Sequence, residues 1–290
     1  MSILVDKSTR LLVQGITGRE GQFHTTRMME YGTNVVAGVT PGRGGTYIEG
    51  VPVFDSVEEA VREQGANAAA LFVPPHATLG AILESMSSGI KLIVTIAEGV
   101  PIKDMRKVYH INRAIPDVTV IGPNSFGVIS PGLCKVGFMD HRIYSKGPVG
   151  LMSRSATNSY ETVNEMTKAK IGQSTCVGVG GDVIPGTSYI KLLPLFEKDE
   201  ETKAIVIIGE IGGTDEEAAA EYIKAHISKP VIAYIAGKNA PKGKKMGHAG
   251  AIVSANGIGS AQSKIEALSG AGVKIADSLD QIIVLLKKVL

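Results

Sequence analysis

A histidine in the run GKNAPKGKKMGHAGA could act as a nucleophile. His248 stands between Gly247 and Gly250, with Lys238, Lys242, Lys244 and Lys245 just before it. An imidazole nitrogen accepts a phosphoryl group when its other nitrogen is oriented and the local field is positive. Taken alone, such a histidine is more often a surface residue in a solvated lysine loop. A carboxylate able to orient it closes the apolar run AIVIIGEIGG, where Glu210 sits between glycines. At the mouth of a buried strand a carboxylate needs a partner, and an imidazole N–H supplies one. A third constellation is VGLMSRSATNSYE, an apolar run that passes through Ser153, Arg154, Ser155, Ala156 and Thr157 into a helical pattern. Free N–H groups and hydroxyls gathered at a helix start form an anion site, where capping alone would need only one serine.

The first half of the chain carries a different device. QGITGREGQF places Gly15, Gly18 and Gly21 between an apolar run and a helical pattern, which lets backbone approach a phosphate at a helix N-terminus. The spacing is GxxGxxG. A dinucleotide ribose would want an acid about 20 residues on, at the end of the next strand, yet GVTPGRGG offers Arg43 there. A cation suits a phosphorylated ribose or another phosphate ester, such as coenzyme A (CoA) carries. TIAEG (Thr95 to Gly99) and GPN (Gly122 to Asn124) end two later runs and border the same crevice. His24 is placed to touch the first loop, and His226 falls on a helical pattern.

These loops imply the elements behind them. LLVQGI, NVVAGVT, AAALFVP, KLIVTIAEG and VTVIGPN read as buried parallel strands, with SVEEAVREQG and TLGAILESMSSG as helices between them. After a patternless stretch, GPVGLMS, QSTCVGVGG, AIVIIGEIGG, PVIAYIAG and GAIVSANG read as a second set of strands, with TDEEAAAEYIKAHI and SLDQIIVLLKKVL as helices. The reading is α/β throughout: a first unit over 1–130, a junction over 131–147 and a second unit over 148–290. Ligands are then expected at the carboxyl ends of the strands.

Net charge is +2, from 30 basic and 28 acidic residues, so no general field draws the chain to nucleic acid or a membrane. Two cysteines far apart, Cys134 and Cys176, make neither a disulfide framework nor a CxxC metal site. No residue set suggests a metal. Without a leader pattern at MSILVDKSTR, a cytoplasmic location is expected.

Together the opening MSILVDK, QGITGREG with GVTPGRGG, TIAEG, GPN, SRSAT followed by Tyr160 and Glu161, STCVGVGGD, IGEIGG and KGKKMGHAGAI resemble the succinyl-CoA synthetase (succinate-CoA ligase) alpha subunit over nearly the whole length. The resemblance implies a Rossmann-like CoA-binding domain followed by a flavodoxin-like ligase domain. Thr17, Gly18, Arg19 and Glu20 would form the CoA loop, with Arg43 in place of the usual lysine. Ile96, Ala97, Glu98, Asn124 and Ser125 would line the rest of that site. His248 would be phosphorylated and held by Glu210, Ser153 to Thr157 would hold its phosphoryl group, and Tyr160 would lie near the substrate. The partner would be an ATP-grasp beta subunit carrying Mg²⁺ and ADP/ATP or GDP/GTP, in an αβ or α2β2 assembly. Departures from the family pattern are Ser125 and Phe126 after GPN (usually cysteine and proline), Ala156 and Asn158 in the SRSAT segment, and VPPHA from Val73. They bear on which short carboxylate is used, succinate or another such as malate or acetate. A non-catalytic CoA-binding regulator would not need KGKKMGHAG, and a nicotinamide oxidoreductase would want an acid at Arg43.

Overall fold

The computed structural model describes residues 2–290 and holds two seven-stranded sheets. In the first, β1 (Leu11–Gln14), β2 (Val35–Val39), β5 (Ala68–Leu71), β6 (Leu92–Thr95) and β7 (Thr119–Ile121) run parallel. β1, β5, β6 and β7 are buried residue by residue, as strands covered by helices on both faces must be. β4 (Val51–Phe54) adds parallel to β2, and β3 (Tyr47–Ile48) pairs antiparallel with β4 at the edge. Counting parallel strands in chain order, the sheet runs 3-2-1-4-5-6, the Rossmann arrangement. The crossovers are α1 (Arg19–Glu30), α2 (Val57–Gln64), α3 (Thr78–Ser87) and α4 (Ile102–Ala114). Ser56 caps α2 by accepting from the Glu59 N–H at 3.2 Å, and Gly65 ends it at φ 59°, a left-handed position that favours glycine.

In the second sheet β10 (Lys146–Ser153), β11 (Gln173–Gly178), β12 (Ala204–Glu210), β13 (Val231–Ala236) and β14 (Lys274–Ala276) are parallel in the order 2-1-3-4-5, the flavodoxin arrangement. Its helices are α5 (Ala156–Lys168), α6 (Tyr189–Lys198), α7 (Asp215–His226), α8 (Ala261–Gly270) and α9 (Leu279–Leu286). An antiparallel hairpin, β8 (Gly127–Ser130) and β9 (Cys134–Gly137), joins this sheet through β11. The chain therefore leaves the first sheet after β7, and the expected junction at 131–147 contains β9 and the start of β10. A hairpin strand flanked by Pro131-Gly132 has too few residues to show a period, which is why that stretch reads as patternless. GAIVSANG, expected as a strand, is loop apart from one bridge between Lys245 and Ile252; its place at the sheet edge is taken by β14.

Strand order reverses beside β1 in the first sheet and beside β10 in the second. Loops diverge at such points and leave a crevice. The crevice of the first lies between the loops after β1 and β5, and that of the second between the loops after β10 and β12. Main-chain bonds tie the two modules together at the carboxyl ends of β7 and β11: Gly122 N–H to Val179 O at 3.1 Å, Gly181 N–H to Asn124 O at 3.1 Å and Gly186 N–H to Gly122 O at 2.7 Å. No helix among the described residues is long and apolar enough to cross a membrane.

Candidate active site

Glu210 is the last residue of β12 and is 6% exposed. Its Oε2 lies 2.8 Å from His248 Nδ1. That contact first, and the carboxylate charge with it, raises the imidazole above its ordinary pKa against the opposing effect of burial. The ring rests on Gly181: a Cβ there would stand 2.5 Å from His248 Cγ. Nδ1 is thereby committed to the carboxylate, and Nε2 is the nitrogen left for chemistry. The loop bearing His248 is anchored by Gly250 N–H to Gly181 O at 3.1 Å and Ala251 N–H to His248 O at 3.1 Å. Gly212, at φ 100°, lets it close in, because a Cβ there would meet Gly250 O at 1.8 Å. Lys238 pairs with Asp277 at 2.6 Å, while Lys242, Lys244 and Lys245 are exposed.

Arg154 follows β10 and turns inward. Its side chain is 3% exposed, with Nε 3.4 Å from Glu210 Oε1 and Nη1 3.8 Å from Asp215 Oδ2. Burial disfavours its charge, but Glu216, Glu210 and Asp215 around it outweigh that and hold the guanidinium protonated. Ser155 caps α5 by accepting from the Asn158 N–H at 3.3 Å. The Ser153 hydroxyl is spent locally, donating to Ser155 O and accepting from the Ser155 N–H. Ala156 opens α5 and Thr157 is exposed beside it. On the other side of the crevice α7 begins after Gly212-Gly213 with no side-chain cap, so a second set of free N–H groups faces the same place. The sequence reading missed this end; the two glycines after Glu210-Ile211 were the available signal. Tyr160, one turn into α5, meets Phe126 edge to face at 5.9 Å, and its hydroxyl has no hydrogen-bond partner.

In the first mouth, Gly18 precedes α1 without a side-chain cap, which leaves first-turn N–H groups for an outside acceptor. Gly15 and Gly21 pack so closely that a Cβ on Gly21 would lie 2.1 Å from Gly15 O. Thr17 Oγ1 donates to Thr40 Oγ1 at 3.2 Å, and the Gly44 N–H donates to Asp55 at 2.9 Å. These contacts bring the Thr17–Glu20 turn beside the loop bearing exposed Arg43. An open helix end with a cation next to it fits a phosphorylated, extended ligand such as CoA. The Asn124 N–H donates to Ala97 O at 2.8 Å, placing Ile96, Ala97 and Glu98 against Asn124. Ser125 is 2% exposed, and its hydroxyl is engaged inside the protein, donating to Gly178 O at 2.6 Å and accepting from the Gly127 N–H at 3.0 Å. Ser125 thereby fastens the segment after β7 to β11 of the second sheet.

A Rossmann module bonded at its strand ends to a flavodoxin module presenting a carboxylate-held histidine has the build of a CoA ligase. The known domain descriptions agree: a CoA binding domain matches residues 6–99 and a CoA-ligase domain matches residues 152–275. The chain is 52% identical over 291 aligned residues to an ADP-forming succinate-CoA ligase alpha subunit (alpha 2) of Archaeoglobus fulgidus, covering 100% of both chains. It is also 52% identical to the corresponding alpha subunit of Aquifex aeolicus, covering 96% of this chain and 91% of that one. The chain belongs to the succinate-CoA ligase alpha-subunit family. Among solved structures it superposes on ATP citrate lyase from Methanothrix soehngenii, in complex with citrate and coenzyme A, with a TM-score of 0.85 and 25% identity. That match covers 99% of this chain and 51% of the lyase chain.

Proposed function

We propose that this chain is the CoA-binding, phosphohistidine-carrying half of an ADP-forming succinate-CoA ligase, and the 2.8 Å contact between Glu210 and His248 Nδ1 carries the reading. In the direction that makes nucleoside triphosphate, phosphate displaces CoA from succinyl-CoA, His248 Nε2 takes the phosphoryl group from the resulting acyl phosphate, and a nucleoside diphosphate receives it. Glu210 keeps the Nδ1 proton in place and stabilises the charge that grows on the ring as the N–P bond forms. The N-terminal ends of α5 and α7 would bind the phosphoryl oxygens. Thr17 to Glu20, Arg43, Ile96 to Glu98 and Asn124 would bind CoA, and Tyr160 would border the acyl group.

The nucleotide and its Mg²⁺ belong on an ATP-grasp beta subunit, since no GxxxxGK[ST] run occurs in this sequence. ADP/ATP is favoured over GDP/GTP by the names of the relatives, and the assembly would be αβ or α2β2. A cavity of about 980 Å³ opens next to Arg154, Asp215 and Gly250, rimmed by Arg106, Arg113 and Lys191; it suits the approach of such a partner to the histidine loop. Cys134 and Cys176 are free, buried thiols, in keeping with a reducing compartment such as the cytoplasm.

The test is to reconstitute the chain with the beta subunit and expose the pair to γ-labelled ATP and Mg²⁺. Acid-labile, base-stable label on the alpha chain is expected, and none in His248→Asn. An unlabelled wild type, or a labelled variant, defeats the proposal.

A further inference from the structure

Glu210 manages one proton of the proposed reaction, the one on His248. The reaction has a second, on the thiol of CoA, and nothing described so far receives it. Asp182 stands where it could. It follows β11 after Gly180 and Gly181, directly beside the glycine under the His248 ring, and is 4% exposed. Its carbonyl accepts from Arg154 Nη2 at 3.1 Å, so the main chain is fixed. The carboxyl is held more loosely: the Asn124 side chain and the Gly99 main chain lie close enough to favour its charged form, yet Oδ1 and Asn124 Nδ2 both lack a partner in good hydrogen-bond geometry. A buried carboxyl so weakly partnered is costly unless a further group also occupies it.

The surroundings say what that would be. A cavity of about 210 Å³ is lined by Asp182 together with Gly99, Val100 and Pro101 of the CoA module and Ala249 of the histidine loop. It lies at a seam between the first module and the histidine loop, where a thiol held by the one could meet an acyl phosphate formed beside the other. The charged groups facing Asp182 are Glu98 from the loop after β6, His248 from the loop after β13 and Arg154 from the loop after β10.

We propose that Asp182 is the proton carrier for the CoA thiol. The inference rests on the ligase reading above. When the sulfur attacks the acyl phosphate, the S–C bond forms, the C–O bond to phosphorus breaks and the electron pair stays with phosphate. The thiol proton passes to Asp182 Oδ1 and from there to the departing phosphate, which leaves as hydrogen phosphate. The reverse step returns it to the leaving sulfur, so no outside co-reactant is needed. Burial pushes the Asp182 carboxyl up from the ordinary aspartate range, which brings it closer to the strength a reversible proton carrier needs.

The experiment separates the two half-reactions in the reconstituted complex. ATP first phosphorylates His248; succinate and CoA then discharge the phosphoenzyme in rapid-quench. In Asp182→Asn, labelling by ATP should proceed near the wild-type rate. Discharge should slow about 10²- to 10⁴-fold, the usual contribution of a positioned acid or base. It should also recover as pH rises toward a thiol pKa of about 8.5. A structural role would instead slow both halves alike, or slow discharge equally at every pH, and either result overturns the proposal. So does discharge at the wild-type rate. Should Asp182→Asn fail to fold, single-turnover discharge by wild type in D₂O decides: slowing is expected, and its absence refutes the proton transfer. A wild type that never takes label indicts the ligase reading and not Asp182.

Discussion

The two crevices are built by opposite means. The mouth beside β1 is made of backbone: Gly15, Gly18 and Gly21 give access to the start of α1, and its cation, Arg43, is exposed. The mouth beside β10 is made of buried charge. Glu216 and Lys264 are both 0% exposed and paired, and Lys264 also donates to Gly213 O and Glu217 Oε2, each at 3.1 Å. Glu216 in turn accepts the Glu210 N–H at 3.3 Å. Burial pushes the Glu216 carboxyl up, while Lys264 and Arg154 pull it back toward ionisation. The first mouth can bind a long ligand by shape with little at stake per contact. The second must keep a net of charges intact or lose the orientation of its histidine.

The sharpest way to break that contrast is Lys264→Met. It leaves Glu216 buried without its hydrogen-bonded counterion, and removing one member of a buried pair costs about 3–5 kcal/mol. Urea denaturation should show that loss. Lys264→Met combined with Glu216→Leu should recover most of the stability, since an apolar pair can replace a buried ion pair. A single variant as stable as wild type would mean that the second mouth is not held by charge.

Next in size is Glu210→Gln. Losing the carboxylate that orients an imidazole costs about 10- to 100-fold in function, read here as the rate of His248 labelling. The pH profile should move with it. In the wild type His248 has a raised pKa, so the stability from its ion pair is complete below the unfolded value of about 6.5 and is lost as pH rises through the higher folded value. Labelling needs Nε2 unprotonated and therefore rises through that same interval. In the Glu210→Gln variant the burial effect remains without its opponent, and the acid limb should shift to lower pH. An unmoved limb would show that Glu210 does not govern the ring.

The contrast also explains what could be read in advance. The strands, the glycine turn and the capped helix starts are local, and LLVQGI, SVEEAVREQG and TDEEAAAEYIKAHI carry their period within a dozen residues. Glu210 was legible because a carboxylate in AIVIIGEIGG violates the pattern around it. The hairpin of β3 and β4 was missed because two- and four-residue strands carry no period, and GAIVSANG looked like a strand because apolar β-branched residues also line loops packed on a core. Asp182, Lys264 and the start of α7 were invisible for another reason. Their meaning comes from contacts such as Asp182 with Asn124, or Lys264 with Glu216 across 48 positions, and one sequence does not display distance in space. Arg154 reads as a phosphate ligand at a helix start; that folding also brings it to Glu210 is not visible in the sequence.

The smallest effect expected lies in the first mouth. Arg43 is exposed and its loop is held by Asp55 and Thr40, not by its own side chain, so Arg43→Ala should leave the fold and the histidine chemistry alone. An exposed charge pair is worth about 0.2–1 kcal/mol, which predicts a KM for CoA raised about two- to fivefold with kcat unchanged. Salt should shrink the difference, because charges in water are screened, and Arg43→Lys should restore most of the affinity. A loss beyond about a hundredfold, or one that survives high salt, would mean that Arg43 closes over the ligand and is desolvated with it. The first mouth would then also depend on buried charge once its ligand is bound, and the difference between the two crevices would hold only for the free chain.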